Sequence, residues 1–390
     1  QSAHGKSLTV SILSLSLLTV MAGAAVAPAL GVIQAHFSSS NQLFIQMIIS
    51  VPALFIVITN FIFPRLCRVF GSKTLVLIGL LLYTVGGCAA GLFDNIFVVL
   101  IMRAFVGIGV GIIMPLSTGL LSFYFSPEEQ AGLMGHSSAM NQMGGVVATL
   151  LSGLLANISW RVSFLIYLMG LISIVLCLIY LPNDKITQEG PAEEESAKEG
   201  TAGIFRANIV YILAMFLLMS IFFIYPANFA METAAEGIIP HNYIAVIMAS
   251  MDFIAFLGGL LFVSAKKALG RNTKFLAPVC FLAGYLLLAA AGGWAGTLIG
   301  SVFIGFANGA GIPFIMTEAS MKAGKAAATT VMPLISAALY LAQFVSPVLM
   351  SIVRTIFGEG AAHLPYWFAV VLAVWFVLWS SLIPTGKEER

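Results

Sequence analysis

Charge is what this sequence has least of. Only 9% of its 390 residues are Asp, Glu, Lys or Arg, while 60% are hydrophobic, and the mean hydropathy is +1.02. No soluble domain has enough interior to hide that much apolar surface, so lipid is the expected solvent. The net charge is only +2, and the basic residues are scattered through short loops instead of forming a stripe. That distribution excludes nucleic acid as an expected partner. Cysteine is scarce: Cys67, Cys88, Cys177 and Cys280 stand far apart with no CxxC spacing. They read as small apolar fillers, so no disulfide framework, metal site or cofactor is expected. The phosphate-cradling GxxxxGK[ST] of a primary pump is missing, and so are the HExxH and GxSxG of intramembrane hydrolases. An enzyme is therefore not expected.

What the chain does contain is a series of apolar runs, each near the roughly 20 residues that a membrane span needs. Breaks at charges, Pro and Gly predict helices near 7–35, 42–64, 74–93, 96–124, 131–157, 160–182, 207–231, 242–264, 274–293, 296–318, 327–354 and 364–384. The first run is followed by many more, so it is read as the first span and not as a removed leader. The expected fold is an all-α membrane protein with twelve transmembrane helices in two pseudo-symmetric six-helix bundles. Its parts are an N-terminal bundle over 1–182, an acidic cytoplasmic linker over 183–206 and a C-terminal bundle over 207–390. Glu189, Glu193, Glu194, Glu195 and Glu199 make the linker unable to bury apolar area. Basic residues orient the chain. With both termini in the cytoplasm, fifteen Lys and Arg fall inside and only Arg161 and Arg354 outside, as the positive-inside rule requires.

The two halves superpose in sequence at an offset of 198. Pro28 falls on Pro226; Gly107, Gly111 and Pro115 fall on Gly305, Gly309 and Pro313; Ser138 falls on Ser336. Interior prolines cost a helix a hydrogen bond and a clash, so their coincidence weighs more than that of leucines. The repeated GxxxG spacing lets backbones approach where lipid supplies no hydrophobic drive. The charges do not repeat: Arg103 falls on Ser301 and Asp252 on Leu54.

Arg103-Ala-Phe-Val-Gly-Ile-Gly-Val-Gly resembles the fourth-helix motif of the major facilitator superfamily, and the duplicated six-helix plan is similar to that family over nearly the whole chain. Trp160-Arg161-Val-Ser-Phe-Leu-Ile-Tyr and Gln343-Phe-Val-Ser-Pro347 resemble its bacterial proton-coupled drug and metabolite exporters. The basic loop after the second helix keeps Arg68 and Lys73, residues of the family's inner gate, but has Phe63 and Cys67 where Gly and Asp are usual. The antiporter motif of the fifth helix survives only as Gly144, Ala148, Thr149, Ser152 and Gly153, without its proline. The resemblance implies alternating access in the bacterial inner membrane, with helices 1, 4, 7 and 10 lining a central cavity. It also implies a monomer that takes a small-molecule substrate and protons as coupling ion.

Arg103 and Asp252 are the charges placed well inside spans, where an ionised group costs roughly 2.5 to 3.5 kcal/mol. Asp252 is the candidate proton carrier, with a permanently ionised structural Asp as the plain alternative. Three readings stay open for Arg103: an anion-binding fork, an electrostatic partner for an acid, or an anchor on backbone carbonyls of helix 1. Asn141, Tyr225, Asn228, Asn308, Tyr340 and Gln343 are further candidate substrate contacts, and for most of them tight packing is an equally good reading. Glu232, Glu318, Arg161 and Arg354 lie at span ends, where gating pairs and snorkelling to the interface both fit, and snorkelling is the favoured reading. The favoured function is proton-coupled efflux of an amphipathic drug or metabolite. The alternatives are uptake of a small organic anion by symport or facilitated diffusion, and a non-transporting sensor or lipid scramblase.

Overall fold

The computed structural model describes residues 3–186, 202–358 and 360–384. The acidic stretch from Glu189 to Glu199 lies outside them. Among the described residues there is no strand, because a backbone in lipid has no water to satisfy it and the helix closes its bonds internally. The helices are α1 (Ala3–Thr19), α2 (Leu30–His36), α3 (Gln42–Val69), α4 (Ser72–Ala89), α5 (Ile96–Tyr124), α6 (Pro127–Ala156), α7 (Trp160–Ser163) and α8 (Gly170–Tyr180) in the first half. The second half holds α9 (Ile209–Glu236), α10 (His241–Leu269), α11 (Leu276–Leu286), α12 (Gly293–Phe357) and α13 (Leu364–Ser380).

Among the described residues, ten helical stretches are long and apolar enough to cross a membrane. One of them, His241–Ala291, has 51 residues and holds two crossings, and Leu364–Ser380 adds a shorter apolar helix, giving twelve. Its two crossings are divided at Gly270, whose φ of +57° opens a short 3-10 segment, Gly270–Phe275. The helix assignment runs unbroken from Gly293 to Phe357, where separate helices at 296–318 and 327–354 are expected from the sequence. The Lys322–Thr330 connection is rich in alanine and free of proline, and alanine is the strongest helix former.

The first predicted span, 7–35, is not one helix. After Thr19 it passes through two 3-10 segments, Val20–Ala22 and Ala24–Ala29, before α2 begins. Pro28 lies inside the second of these and Gly23 between them, at φ −106° and ψ −73°. Gly23 allows a close approach: a Cβ there would stand 2.8 Å from the Ile49 carbonyl oxygen.

The chain divides into two compact units, Gln1–Gln188 with Pro240–Ala249, and Glu189–Ile239 with Ser250–Arg390. Each repeats the same internal crossing. In the first, a Cβ on Gly107 would meet the Pro52 oxygen at 2.5 Å and one on Gly111 would meet Thr59 Cβ at 2.6 Å, so α5 lies directly on α3. In the second, a Cβ on Gly305 would meet the Met251 oxygen at 2.5 Å and one on Gly309 would run into the Ala255 backbone, so α12 lies on α10. The repeated glycines of the sequence are thus the same helix contact made twice.

Loop ends are pinned by polar contacts. Arg161 donates from Nη1 to the Gly91 carbonyl at 3.1 Å and from Nη2 to Asp94, whose Oδ1 is also 3.0 Å from His36 Nε2. Arg161 therefore joins three connections instead of snorkelling. The His36 hydrogen bond first, and then Arg161, hold the Asp94 carboxyl below its ordinary 3.8, with burial opposing. A depressed folded value stabilises the protein above the ordinary value, and that contribution disappears as pH falls through it. Asp94→Asn is therefore expected to lower the melting temperature slightly at neutral pH, and the gap from wild type should close as the buffer is taken below about pH 4. A gap that stays constant down to acid would mean that the ionised carboxylate contributes nothing.

On the opposite side of the first unit, the stretch after α8 is clamped. Lys73 donates from Nζ to the Leu178 carbonyl at 2.8 Å, and the Ser72 amide donates to the Asp184 carbonyl at 2.8 Å. Tyr124 donates its hydroxyl to Asp184 Oδ2 at 2.8 Å, and burial together with that carboxylate pushes the phenol up to about 12. Lys274 does in the second unit what Lys73 does in the first, donating to the Ile383 carbonyl after α13 at 3.2 Å. A cation at a helix C-terminus offsets its dipole and its unpaired carbonyls.

Candidate functional site

The break in the first span exposes carbonyls inside the first unit, and Arg103 covers them. From α5 it donates Nη2 to the Ala22 carbonyl at 2.6 Å and to Gly23 at 3.3 Å, and Nε to the Ile48 carbonyl at 2.7 Å. Nη1 donates to the Tyr167 hydroxyl at 2.6 Å, and that hydroxyl donates in turn to the Met21 carbonyl at 2.9 Å. The guanidinium also lies over the Tyr167 ring, 5.2 Å from its centroid, and is fully buried. All three nitrogens of the fork are thus engaged by neighbours within its own unit. Tyr167 stands in the 3-10 segment Phe164–Met169; its part in holding Arg103 was not foreseen from the sequence, although it closes the Trp160 motif.

The second unit solves the same problem with different residues. Pro226 deprives the Phe222 carbonyl of its helical donor. Tyr285 donates its hydroxyl to Ile221 and Phe222 carbonyls at 2.5 and 3.2 Å, and Ser346 donates to the Ser220 carbonyl at 3.0 Å. α9 therefore stays a continuous helix across its proline. Where α5 carries Arg103, α12 carries Ser301, whose hydroxyl is 2.7 Å from that of Tyr225. Tyr225 is fully buried, stacks on Phe229 at 4.5 Å between centroids, and lies within electrostatic reach of Asp252. Asp252 itself is half-buried on α10, one residue beyond the Met251 that receives Gly305. Tyr225 and Asp252, which fall on Ala27 and Leu54 in the other half, and Ser301, which falls on Arg103, thus lie in one unit.

The other candidate contacts are distributed. Asn228 is buried; it donates Nδ2 to the Ile224 carbonyl at 3.0 Å and accepts Nη2 of Arg354 at 2.6 Å. Asn308 is half-buried and its Oδ1 has no hydrogen-bond partner. Gln343 donates Nε2 to Met219 Sδ at 3.6 Å, and Tyr340 is half-buried on the same helix. Asn141 accepts the Thr19 hydroxyl at 2.7 Å in the first unit. Arg68 is exposed on the last turn of α3. The structure corrects the snorkelling reading at three span ends besides Arg161. Arg354 is buried at 9% exposure, Glu232 faces His363 at 3.4 Å, and Glu318 pairs with Lys266 at 3.4 Å. Neighbouring polar groups supplied partners nearer than the interface.

Two units of stacked apolar helices, each crossing through paired glycines and each holding a polar cluster inside, define a polytopic helical membrane protein. The Major Facilitator Superfamily profile matches residues 12–347, and the chain belongs to that family. Its curated relatives include Multidrug resistance protein 3 of Bacillus subtilis, 24% identical over 219 residues, which cover 52% of this chain and 42% of that protein. They also include the quinolone resistance protein NorA of Staphylococcus aureus, 25% identical over 116 residues, 30% of each chain. The matches span less than half of each relative's length. Among solved structures, the xylose transporter XylE from E. coli superposes with a TM-score of 0.74 at 13% identity, covering 100% of both chains. The nucleoside transporter NupG (D323A mutant) gives 0.77 at 12% identity, covering 96% of this chain and 99% of that one. These structures share its twelve-helix, two-bundle fold.

Proposed function

We propose that the protein is a proton-coupled exporter of a small amphipathic organic molecule, working by alternating access, with Asp252 as the residue that takes up and releases the proton. The observation that carries this reading is the cluster of Asp252 with the Tyr225–Ser301 hydroxyl pair. A half-buried carboxylate beside buried hydroxyls can exist in either protonation state, because burial penalises the charge while the hydroxyls can serve either form. Asn308 Oδ1, buried without a partner, is the acceptor proposed for a substrate donor. Tyr340 and Gln343 would supply mixed aromatic and amide surface, with the fully buried Tyr225 behind it. Arg103 is proposed as an anchor for the broken first span and not as an anion fork, since its nitrogens are already engaged. The uptake alternative loses its main motive with that assignment, while two relatives named for drug resistance support export. Both termini are proposed to be cytoplasmic in the inner membrane, with 183–206 linking bundles 1–182 and 207–390 in a monomer.

The test is accumulation of a fluorescent quinolone into everted vesicles containing the full chain. A gradient of about 100 mV is worth about 2.3 kcal/mol per proton, or about fifty-fold accumulation for one proton per substrate. Asp252→Asn is expected to reduce accumulation to the level without a gradient while leaving exchange intact. Accumulation by the variant that still follows the proton gradient would sink the assignment. Gradient-driven loss of quinolone from the everted vesicles by the wild type would reverse the direction.

A further inference from the structure

Polar residues recur along one face of α9 at helical spacing: Tyr225, Asn228, Glu232 and Glu236. Glu232 lies seven residues past Tyr225, about 10 Å along the helix, towards the end where α12 finishes and α13 begins. There Glu232 Oε2 stands 3.4 Å from His363 Nδ1, in side chains 22% and 21% exposed. His363 is the only non-glycine residue among those described with a positive φ, +55°. That backbone conformation is uncommon outside glycine and persists where the surroundings hold it. Its carbonyl accepts the amides of Tyr366 at 3.0 Å and Trp367 at 3.1 Å, and its ring stacks on Tyr366 at 5.6 Å. The imidazole is thereby fixed facing Glu232.

The remaining charges around the pair are distinguishable. Glu236 Oε1 accepts the Gly293 amide at 3.3 Å at the start of α12, the end of a helix that attracts acidic side chains. Arg354 from α12 is within electrostatic reach of Glu232 and donates to Asn228. Tyr366 from α13 completes the set that faces the carboxylate. Glu232 thus has two basic groups nearby, a guanidinium and an imidazole, the latter being the side-chain type that serves as a proton shuttle. Both side chains are partly exposed, while Nδ1 of the imidazole is itself buried against Glu232.

We propose that Glu232 and His363 form a second proton-binding site of the protein, at the end of the second unit where α9 finishes and α13 begins. A proton taken up from water adds to the neutral imidazole to give the imidazolium. In the transfer it leaves Nδ1 and arrives at Oε2 of the carboxylate, giving a neutral imidazole and a neutral carboxylic acid, and its release from the carboxyl restores the starting pair. The transfer itself leaves the net charge of the pair unchanged, so it can proceed beside Arg354. A contact of 3.4 Å needs only a few tenths of an ångström of approach to become a hydrogen bond. The proposal rests on the proton-coupled reading, to which it adds a port separate from Asp252.

The experiment is pH-difference infrared spectroscopy of the purified full chain, between about pH 5 and pH 8, which needs no substrate. A carboxyl that changes protonation gives a carbonyl-stretch band that a permanent ion pair does not. Glu232→Gln is expected to remove one carboxyl's amplitude from that band, and His363→Asn to displace the same component along the pH axis. Glu232→Asp, which keeps the charge with a shorter side chain, should retain the component at a shifted frequency. A Glu232→Gln spectrum superimposable on wild type overturns the proposal. Should that variant not fold, an unmoved band in Glu232→Asp does the same. Asp252→Asn is the separate arm: if it leaves the band unchanged while Glu232→Gln diminishes it, the Asp252 assignment fails and this site stands.

Discussion

Replacing Arg103 by methionine is expected to be among the most damaging single changes in the protein, costing about 2 to 5 kcal/mol. Methionine has a length and flexibility that can occupy the same space, so the substitution removes donors more than volume. The Ala22 and Gly23 carbonyls lie where the first span leaves α-helical geometry and lose the guanidinium, Ala22 keeping the longer Tyr167 hydroxyl contact at 3.2 Å. The Ile48 carbonyl, inside α3, has no helical donor because residue 52 is proline, so it loses the guanidinium bond with nothing to replace it. Tyr167 keeps its bond to Met21, which limits the damage. Offsetting this, methionine relieves the desolvation of a guanidinium, which is why the range starts as low as it does. Against a total stability of 5 to 15 kcal/mol such a loss is visible in yield and in melting temperature, by roughly 10 °C. Arg103→Lys retains the charge but can serve only one direction well, and should fall between the two. Measuring the melting temperatures and quinolone affinities of both variants separates the assignments. A stable Arg103→Met protein with lost affinity for an anionic substrate would return Arg103 to the site.

The second large effect is expected at Gly305. A side chain there must displace the Met251 carbonyl, and backbone cannot rotate away as a side chain can. Gly305→Ala is expected to cost about 1 to 3 kcal/mol and Gly305→Leu more, because overpacking a helix crossing forces the helices apart. α10 would have to move with Met251, taking Asp252 with it, so proton-driven accumulation should vanish even in a leucine variant that folds. Gly119 is the control. It lies inside α5 with nothing within 4 Å of an added Cβ, so Gly119→Ala should be neutral or gain up to about 1 kcal/mol from helix propensity. Thermal unfolding of the three variants together checks the ordering. Equal losses at Gly305 and Gly119 would mean that glycine serves flexibility here and not close approach.

The scaffold was legible because lipid leaves the chain few choices. Composition required spans, their length and spacing fixed the number, and the offset of 198 exposed the repeat that reappears as the two glycine crossings. Boundaries failed where backbone geometry, which apolar content does not report, decides them. The first span looks as apolar as the others, yet Gly23 and Pro28 break it. The connection after Lys322 looks like a loop by its charges, yet the helix assignment continues through it. Among the candidate site residues, hydropathy marked Arg103 and Asp252 as costly, but it could not say what repaid the cost. Glu232 and Arg354 were read as snorkelling because sequence position near a span end says nothing of neighbours on other helices.

The sequence by itself determined the solvent, the helical backbone, the duplication and the asymmetry of charge, all of which depend on residue type and local spacing. Only the tertiary structure decided the partners. It gave Arg103 to the carbonyls of a broken helix, Tyr225 to Ser301 beside Asp252, and Glu232 to His363, 131 positions further along the chain. Which side chains meet in the interior depends on how helices distant in sequence cross, and a contact between them leaves no trace in the spacing of either helix alone.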